Sequence, residues 1–419
     1  MDSEFSVQRL GPCRYSSPLN LPVYVNDADR LLVDAVVKES APAETSSDLL
    51  ELAGAREFLY FDPQHTRAAI VTCGGLCPGL NDVIRALTMV LWYRYGVRDI
   101  LGLRYGYEGL IPSYGHQPVL LTPESVEDIH KDGGTVLGSS RGGQDVPTQV
   151  RFLEEQGINV LFAIGGDGTQ RGALDIAREV ERRGLDISVV GIPKTIDNDV
   201  SFTERTFGFE TAVAMSRGPI VGIHNEAKGV RNGIGLVKLM GRESGFIAAY
   251  AALASSDVNL VLVPEVPFTL EQVFTFIEER MRTKSHAVIV VAEGAGQNLA
   301  AADGTDKSGN RKLGDIGIFL QNAIADHFKG SDTAVSIKYV DPAYIIRSAP
   351  ATADDSVFCF QLAENAVHAA MSGRTGMVVG LWNGQFVHVP VEKSVSARKQ
   401  IDPLGALWNS VQHNTGQTF

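Results

Sequence analysis

Three short segments of the chain gather the residue types that phosphate chemistry needs. In Gly191-Ile192-Pro193-Lys194-Thr195-Ile196-Asp197-Asn198-Asp199, a cation, a hydroxyl, a carboxylate and an amide fall within one loop. If the loop is extended, positions 195, 197 and 199 project to one side. Thr195 would then touch a transferred phosphoryl group, while Asp197 would take a proton from an attacking hydroxyl. A solvated acidic turn is the plain alternative, but such a turn does not require this mixture.

The second segment is Ile164-Gly165-Gly166-Asp167-Gly168-Thr169. Its glycines clear space around one carboxylate, so backbone N–H groups can hold polyphosphate oxygens. Asp167 can act on Mg²⁺ directly or through water, since that ion prefers oxygen ligands and keeps several waters. A helix N-cap is the simpler use of the same Asp. The third segment is Thr72-Cys73-Gly74-Gly75-Leu76-Cys77-Pro78-Gly79. Paired glycines ahead of a helix let a phosphate approach the backbone and the positive end of the helix dipole. An ordinary strand-to-helix turn would read the same way. Met240-Gly241-Arg242, Glu293-Gly294, Lys338 and Tyr344-Ile345-Ile346-Arg347 are weaker signals. Taken singly they read as a helix start, a strand-end acid and surface cations.

These segments need elements to carry them. From about residue 67 short apolar runs alternate with helix-length amphipathic stretches. The runs are 68–72, 159–164, 187–192, 235–239, 260–263 and 287–291; the helical stretches are 169–183, 209–227, 242–255, 269–283 and 353–372. Continuous apolar runs suit strands buried on both faces. Their alternation with helices predicts an α/β doubly wound architecture with parallel sheets, with ligands beyond the carboxyl ends of the strands. Residues 1–66 break the rhythm, with clusters such as Ser16-Ser17-Pro18 and Ala41-Pro42-Ala43. They are expected to form an N-terminal extension of short strands and turns, with room for one helix. The apolar clusters Leu31-Leu32-Val33 and Val36-Val37 call for a covering surface. Segment 301–313 reads as a polar surface loop.

Composition narrows the classes. The 419 residues allow two to four domains, and 44% hydrophobic with 21% charged residues excludes disorder throughout. A net charge of −12 argues against a nucleic-acid binder. Four cysteines cannot build a disulfide framework, and no His or Cys cluster accompanies Cys73 and Cys77 to bind zinc. The start MDSEF lacks an apolar signal core, and no stretch reaches 18 apolar residues. The expectation is a reduced, cytoplasmic protein with no membrane partner.

Taken together, the segments resemble the phosphofructokinase family. GGLCPGLN (74–81), GGDGT (165–169), PKTIDND (193–199), KLMGRESGF (238–246) and YIIR (344–347) occur in the family's order, and the match runs from about residue 67 to the end. GGDGT alone is shared with NAD kinases and lipid kinases, whereas its combination with PKTIDND is specific. The resemblance implies transfer of the ATP γ-phosphoryl to the 1-hydroxyl of fructose 6-phosphate, a glycolytic step under allosteric control. It implies two Rossmann-like domains beside the extension at 1–66: nucleotide-binding over 67–208 and 346–393, sugar-phosphate-binding over 209–345 and 394–419. Nucleotide contacts would fall on Gly75, Arg141, Gly142, Gly166, Gly168 and Thr169, with Asp167 at Mg²⁺. Sugar contacts would fall on Thr195, Ile196, Asp197, Met240, Gly241, Arg242, Glu293, Tyr344 and Arg347. Asp197 matches the base, with Thr195, Lys194 and Arg141 beside it in catalysis. Lys338 matches a residue that reaches the 6-phosphate from a neighbouring subunit, which implies a homo-oligomer, dimer or tetramer.

The match also has departures. Short bacterial relatives carry Gly at the position of Lys194, His at Tyr344 and Arg at Gly233. Lys194 and the extension instead resemble the plant and trypanosome ATP-dependent branch. The pyrophosphate-dependent branch shares Lys194 but has Asp where this chain has Gly168. Gly168 therefore points to ATP as the donor. A pyrophosphate-dependent phosphotransferase, a nucleotide kinase and a non-catalytic sugar-phosphate-binding homologue are the alternatives. PKTIDND, Glu293 and Arg347 speak against a nucleotide kinase, and the presence of Asp197 speaks against loss of catalysis.

Overall fold

The computed structural model describes residues 4–36, 48–300, 304–305, 312–331 and 333–419. They fall into two compact units. The first comprises the described residues up to Thr195, with Val200–Gly208 and Ala349–Ala397; the second comprises Ile196–Asp199, Phe209–Ser348 and Arg398–Phe419.

The first unit is built on a sheet of nine strands among the described residues. Its centre is parallel: Met377–Trp382, Ser188–Pro193, Val160–Gly165, Arg67–Thr72 and Asp99–Leu103 lie side by side. Every residue of Val160–Gly165 and Ser188–Pro193 is buried, as expected for strands covered on both faces. Ala69, Val71, Leu161, Ala163 and Val189 pack on one face with Val150 and Leu153 of the helix Val146–Glu155 and Ile176 and Val180 of the helix Asp167–Arg183. The intervening Ile70, Phe162 and Val190 are buried as well. The pairing Pro193↔Gly165 and Thr72↔Ile164 brings three strand ends level. The three loops singled out in the sequence thus leave the sheet side by side.

The edges of this sheet are antiparallel, where the sequence pattern predicts parallel pairing only. Met377–Trp382 turns directly into Gln385–Pro390 through Asn383 and Gly384, both with positive φ. A two-residue turn of that kind returns the chain alongside itself. Leu49–Leu52 and Arg30–Leu32 then continue the sheet outward. The extension is therefore part of the first unit. Leu31 and Val33 are covered by a cluster that includes Phe5, Leu50, Val378, Val387 and Val389. Val36 is exposed, whereas Val37 and Ala41-Pro42-Ala43 lie outside the described residues. No α-helix occurs in the described part of residues 1–66; a single 3-10 turn spans Pro63–His65. Most of segment 301–313 also lies outside the described residues.

A buried ionic network ties the extension to the sheet. Glu51 accepts from Arg374 at 2.8 Å, from Arg9 at 3.0 Å and from His388 Nδ1 at 3.1 Å. Asp27 bridges Arg56 and Arg374. Burial works to raise the Glu51 carboxyl, but His388, Arg374 and Arg9 outweigh it and hold it far below the usual carboxylate range.

Among the described residues, the second unit has four parallel strands in the order Leu260–Leu262, His286–Ala292, Gly233–Leu239 and Ser336–Val340. Leu239 pairs with Ala292, so Met240-Gly241-Arg242 and Glu293-Gly294 follow adjacent strand ends. At Gly233 a Cβ would run into the Ala227 carbonyl, which explains why this backbone carries no arginine there. Among the described residues, no helix is long and apolar enough to cross a membrane.

Candidate active site

In the first unit, the three loops interlock. Cys73 N donates to Ile164 O at 2.9 Å, and Lys194 N donates to Gly165 O at 3.0 Å. Lys194 is almost fully buried, and its Nζ donates to Gly75 O at 2.7 Å. Gly74, with φ +85, is held by Ser140 O at 3.0 Å from its N and by Ser139 Oγ at 2.6 Å on its O. A Cβ placed on Gly75 would lie 3.3 Å from the Arg141 guanidinium, so that cation rests against the loop. Gln170 fixes the strand ends by donating its amide to Gly165 O at 2.9 Å and Ile192 O at 3.2 Å. Gly75, Arg141, Gly166 and Lys194 are thereby gathered at the start of the helix Asp167–Arg183. Backbone N–H groups, a helix N-terminus and two cations form a cradle suited to a polyphosphate.

The helix begins at Asp167 itself, with Gly166 as N-cap, so Asp167 is not the cap. Space around Gly168 is open: a Cβ there would meet nothing within 4 Å. Thr169 is buried, its carbonyl accepting from Tyr107 Oη at 2.6 Å. Gly142 has φ +105 and sits beside Arg141 in the chain. No cluster of three His, Cys, Asp or Glu side chains able to hold a metal exists among the described residues. The donor set is one carboxylate, Asp167, at an open helix start. It fits a hard cation that takes its remaining oxygens from phosphates and water.

In the second unit, the loop that carries Asp197 is a turn over Ile196 and Asp197, followed by Asn198 at φ +58. It is not the extended segment that the alternation argument supposes, because a left-handed residue reverses the chain. Asp197 Oδ2 accepts from Arg242 N at 3.2 Å. Burial, then the neighbouring Asp199 and Glu293 carboxylates, push Asp197 well above the usual carboxylate range; the Arg242 N–H and Arg398 only partly offset them. Burial also raises Glu293, against the pull of Arg347, Arg242 and Lys238. Such a group of carboxylates holds a proton-accepting site poised nearer neutrality than an isolated Asp.

The sequence pattern opens a helix at 242, but the helix starts at Phe246 with Gly245 as N-cap. Gly241 at φ +122 turns the chain first, and the Glu265 carboxylate holds Gly245 N at 2.9 and 3.1 Å. Gly294 N donates to Gly241 O at 2.9 Å, and a Cβ on Gly294 would strike the Arg242 carbonyl. Met240 is buried at the strand end. Asp197, Arg242, Met240, Gly241 and Glu293 thus form one group. Arg347 stacks on Tyr344 at 4.9 Å, on the short helix Ala343–Arg347, and acts electrostatically on Glu293. Tyr344 itself is 80% exposed. Lys338 is exposed on the edge strand, paired in register with Gly235, and makes no hydrogen bond or ion pair with this group among the described residues. Four further residues touch the site loops: Asp199, Arg398, Lys399 and Glu265. Asp199 lies within PKTIDND, whereas no motif of the chain contains the other three.

Comparison with known proteins gives the same reading. The family model described as Phosphofructokinase matches residues 67–370. An ATP-dependent 6-phosphofructokinase from Borreliella burgdorferi is 46% identical over 99% of this chain and 97% of its own. One of the same description from Entamoeba histolytica is 50% identical over 87% of this chain and 84% of its own. ATP-dependent 6-phosphofructokinase 7 from Arabidopsis thaliana is 47% identical over 87% and 76%. A solved pyrophosphate-dependent phosphofructokinase from Marinobacter aquaeolei shares the fold, with a TM-score of 0.70, 18% identity and coverage of 84% of this chain and 91% of that one. With a family model over most of its length and relatives near half identity, this chain belongs to the phosphofructokinase family.

Proposed function

We propose that the chain transfers the γ-phosphoryl of ATP to the 1-hydroxyl of fructose 6-phosphate, yielding fructose 1,6-bisphosphate in glycolysis. The observation that carries this is the placement of Asp197, whose environment raises its proton affinity, in the same short loop as the buried cation Lys194. Relatives described as ATP-dependent, matched over nearly the whole chain, support the choice of donor.

The first unit is assigned the nucleotide. Gly75, Gly142, Gly166, Gly168 and Thr169 offer backbone to the phosphates, and Arg141 and Lys194 supply positive charge. Asp167 would hold Mg²⁺, which when bound neutralises charge on the phosphate oxygens. The second unit is assigned the sugar phosphate, oriented by Met240, Gly241, Arg242, Glu293, Tyr344 and Arg347, with Ile196 lining the turn. Asp197 accepts the proton as the 1-hydroxyl attacks in line. Thr195 hydrogen-bonds the moving group, and Arg141 and Lys194 spread its charge, which is the main catalytic task in phosphoryl transfer. Lys338, exposed on its edge strand, is assigned to the sugar-phosphate site of a second copy, making the active unit a homo-oligomer. A coupled assay of purified protein with fructose 6-phosphate tests the reading. ATP should support turnover and pyrophosphate should not; turnover with pyrophosphate alone would overturn the donor assignment.

A further inference from the structure

The loop that carries Asp197 is held by a segment two hundred residues away in sequence, within the same unit. Arg398 forms an ion pair with Asp199. Lys399 Nζ donates to Asn198 Oδ1 at 3.1 Å, and Lys399 N donates to Asp199 O at 2.9 Å. The same segment grips the other site loop. Ser244 Oγ donates to Lys399 O at 2.6 Å, and Gln400 Nε2 donates to Glu243 O at 3.0 Å. Ile401 N donates to Glu265 Oε1 at 2.9 Å, the carboxylate that also holds Gly245 N. Arg242 N donates to Asp197 Oδ2, and the ring of contacts closes.

This ring does more than pin two loops. Asp199 has a side chain only 3% exposed, and a buried carboxylate is costly unless a cation faces it. The groups that act on Asp197 from the elements around it are the Asp199 carboxylate in its own loop, the Glu293 carboxylate at a strand end, the Arg242 backbone N–H and the Arg398 guanidinium in the C-terminal segment. Arg347 and Lys238 act one step further out, on Glu293. Asp199 and Glu293 both favour a protonated Asp197, and a protonated carboxyl cannot serve as a base. Arg398 is a cation paired directly with one of these two acids, Asp199.

We propose that Arg398 is a positioning residue for the transfer base: it neutralises Asp199, lowers the pH at which Asp197 ionises and, with Lys399, fixes the turn that presents it. The inference rests on the assignment of Asp197 as base. It assigns a task to a residue that lies outside every motif of the chain.

The test is the pH dependence of kcat/KM for fructose 6-phosphate in the full-length wild type, Arg398→Ala, Arg398→Lys and Asp199→Asn. The substrate's own titration is common to all four enzymes and cancels in the comparison. Arg398→Ala should lose up to about tenfold in activity at neutral pH, move the acid limb upward by about one pH unit and recover partly at high pH. Its KM should change by less than about threefold, since the loss is in proton acceptance. Arg398→Lys keeps the charge and should leave the limb in place. Asp199→Asn removes the repulsion and should move the limb downward, and a fifth enzyme combining Arg398→Ala with Asp199→Asn should lie near the wild type. A purely structural clamp would lower activity without moving the limb, and that result would overturn the proposal. If Arg398→Ala does not fold, an unmoved limb in Asp199→Asn overturns it equally. A wild type that fails to phosphorylate fructose 6-phosphate would remove the functional reading; an active wild type with an immobile limb removes this inference alone.

Discussion

At the scale of single residues, the proposed chemistry falls on Asp197 and Gly168. A positioned base contributes roughly 10²–10⁴ to turnover, so Asp197→Ala should lower kcat by about that factor. Near-normal kcat in the variant would remove the assigned base. The same carboxylate has a cost in stability, and its sign can be worked out. Its proton affinity in the folded state is raised above the ordinary value of 3.8. An acid shifted that way weakens the fold as pH rises through 3.8 and until the folded value is passed. Asp197→Asn should therefore raise the denaturation midpoint at pH about 8 and leave it nearly unchanged at acid pH, because only the ionised form is penalised. An equal effect at both pH values would show that ionisation is not the cause. Gly168 is different: a side chain there would meet open space, so Gly168→Asp should fold normally. The new carboxylate would face a polyphosphate that is already anionic, and like charges at short range in a cleft cost affinity. kcat/KM for ATP should collapse while fructose 6-phosphate binding persists; undiminished ATP use would show that Gly168 does not select the donor.

Between residues and the whole chain stand the elements, and here the sequence was informative unevenly. The buried parallel strands were legible because strands covered on both faces must be apolar throughout, as Val160–Gly165 is. The loops after them were legible because glycines beside a charged residue at a strand end have few purely structural uses. The turn at Asn198 and the delayed helix start at Phe246 were not legible. Both depend on partners distant in sequence, namely Lys399 and Glu265. The extension was the least legible element, because its short strands gain their apolar cover and their charges from elsewhere. Leu31 packs with Val378 and Val389, and Glu51 pairs with Arg374. That pairing makes a sharp prediction. Arg374 has a side chain only 1% exposed and faces both Glu51 and Asp27. Arg374→Ala removes a buried cation from the buried Glu51, which keeps Arg9 and Arg56, and should cost about 3–5 kcal/mol in chemical denaturation. A loss under about 1 kcal/mol would mean that the extension is held by its apolar contacts alone.

For the molecule as a whole, the order of the motifs along the chain carried more than any one of them. GGDGT suits several kinases, but GGDGT, PKTIDND and the downstream Glu293 and Arg347 narrow the reading to one family, and the Phosphofructokinase model spans 67–370. Lys338 points beyond the single chain. It is a cation on the open edge of a four-stranded sheet, and no acid of its own unit pairs with it among the described residues. Lys238, on the adjacent strand, is instead bound to Asp315 at 2.9 Å and Asp341 at 3.0 Å. If Lys338 serves the sugar-phosphate site of a second copy, Lys338→Ala and Asp197→Ala damage different halves of a shared site. A mixed assembly then contains one site with both defects and one with neither. Mixing the two inactive variants under conditions of subunit exchange should restore activity, up to about a quarter of the wild type for a randomly mixed dimer. Mixing each variant with itself restores none. Absence of recovery despite demonstrated exchange, or full activity in a strictly monomeric enzyme, would place Lys338 outside the site.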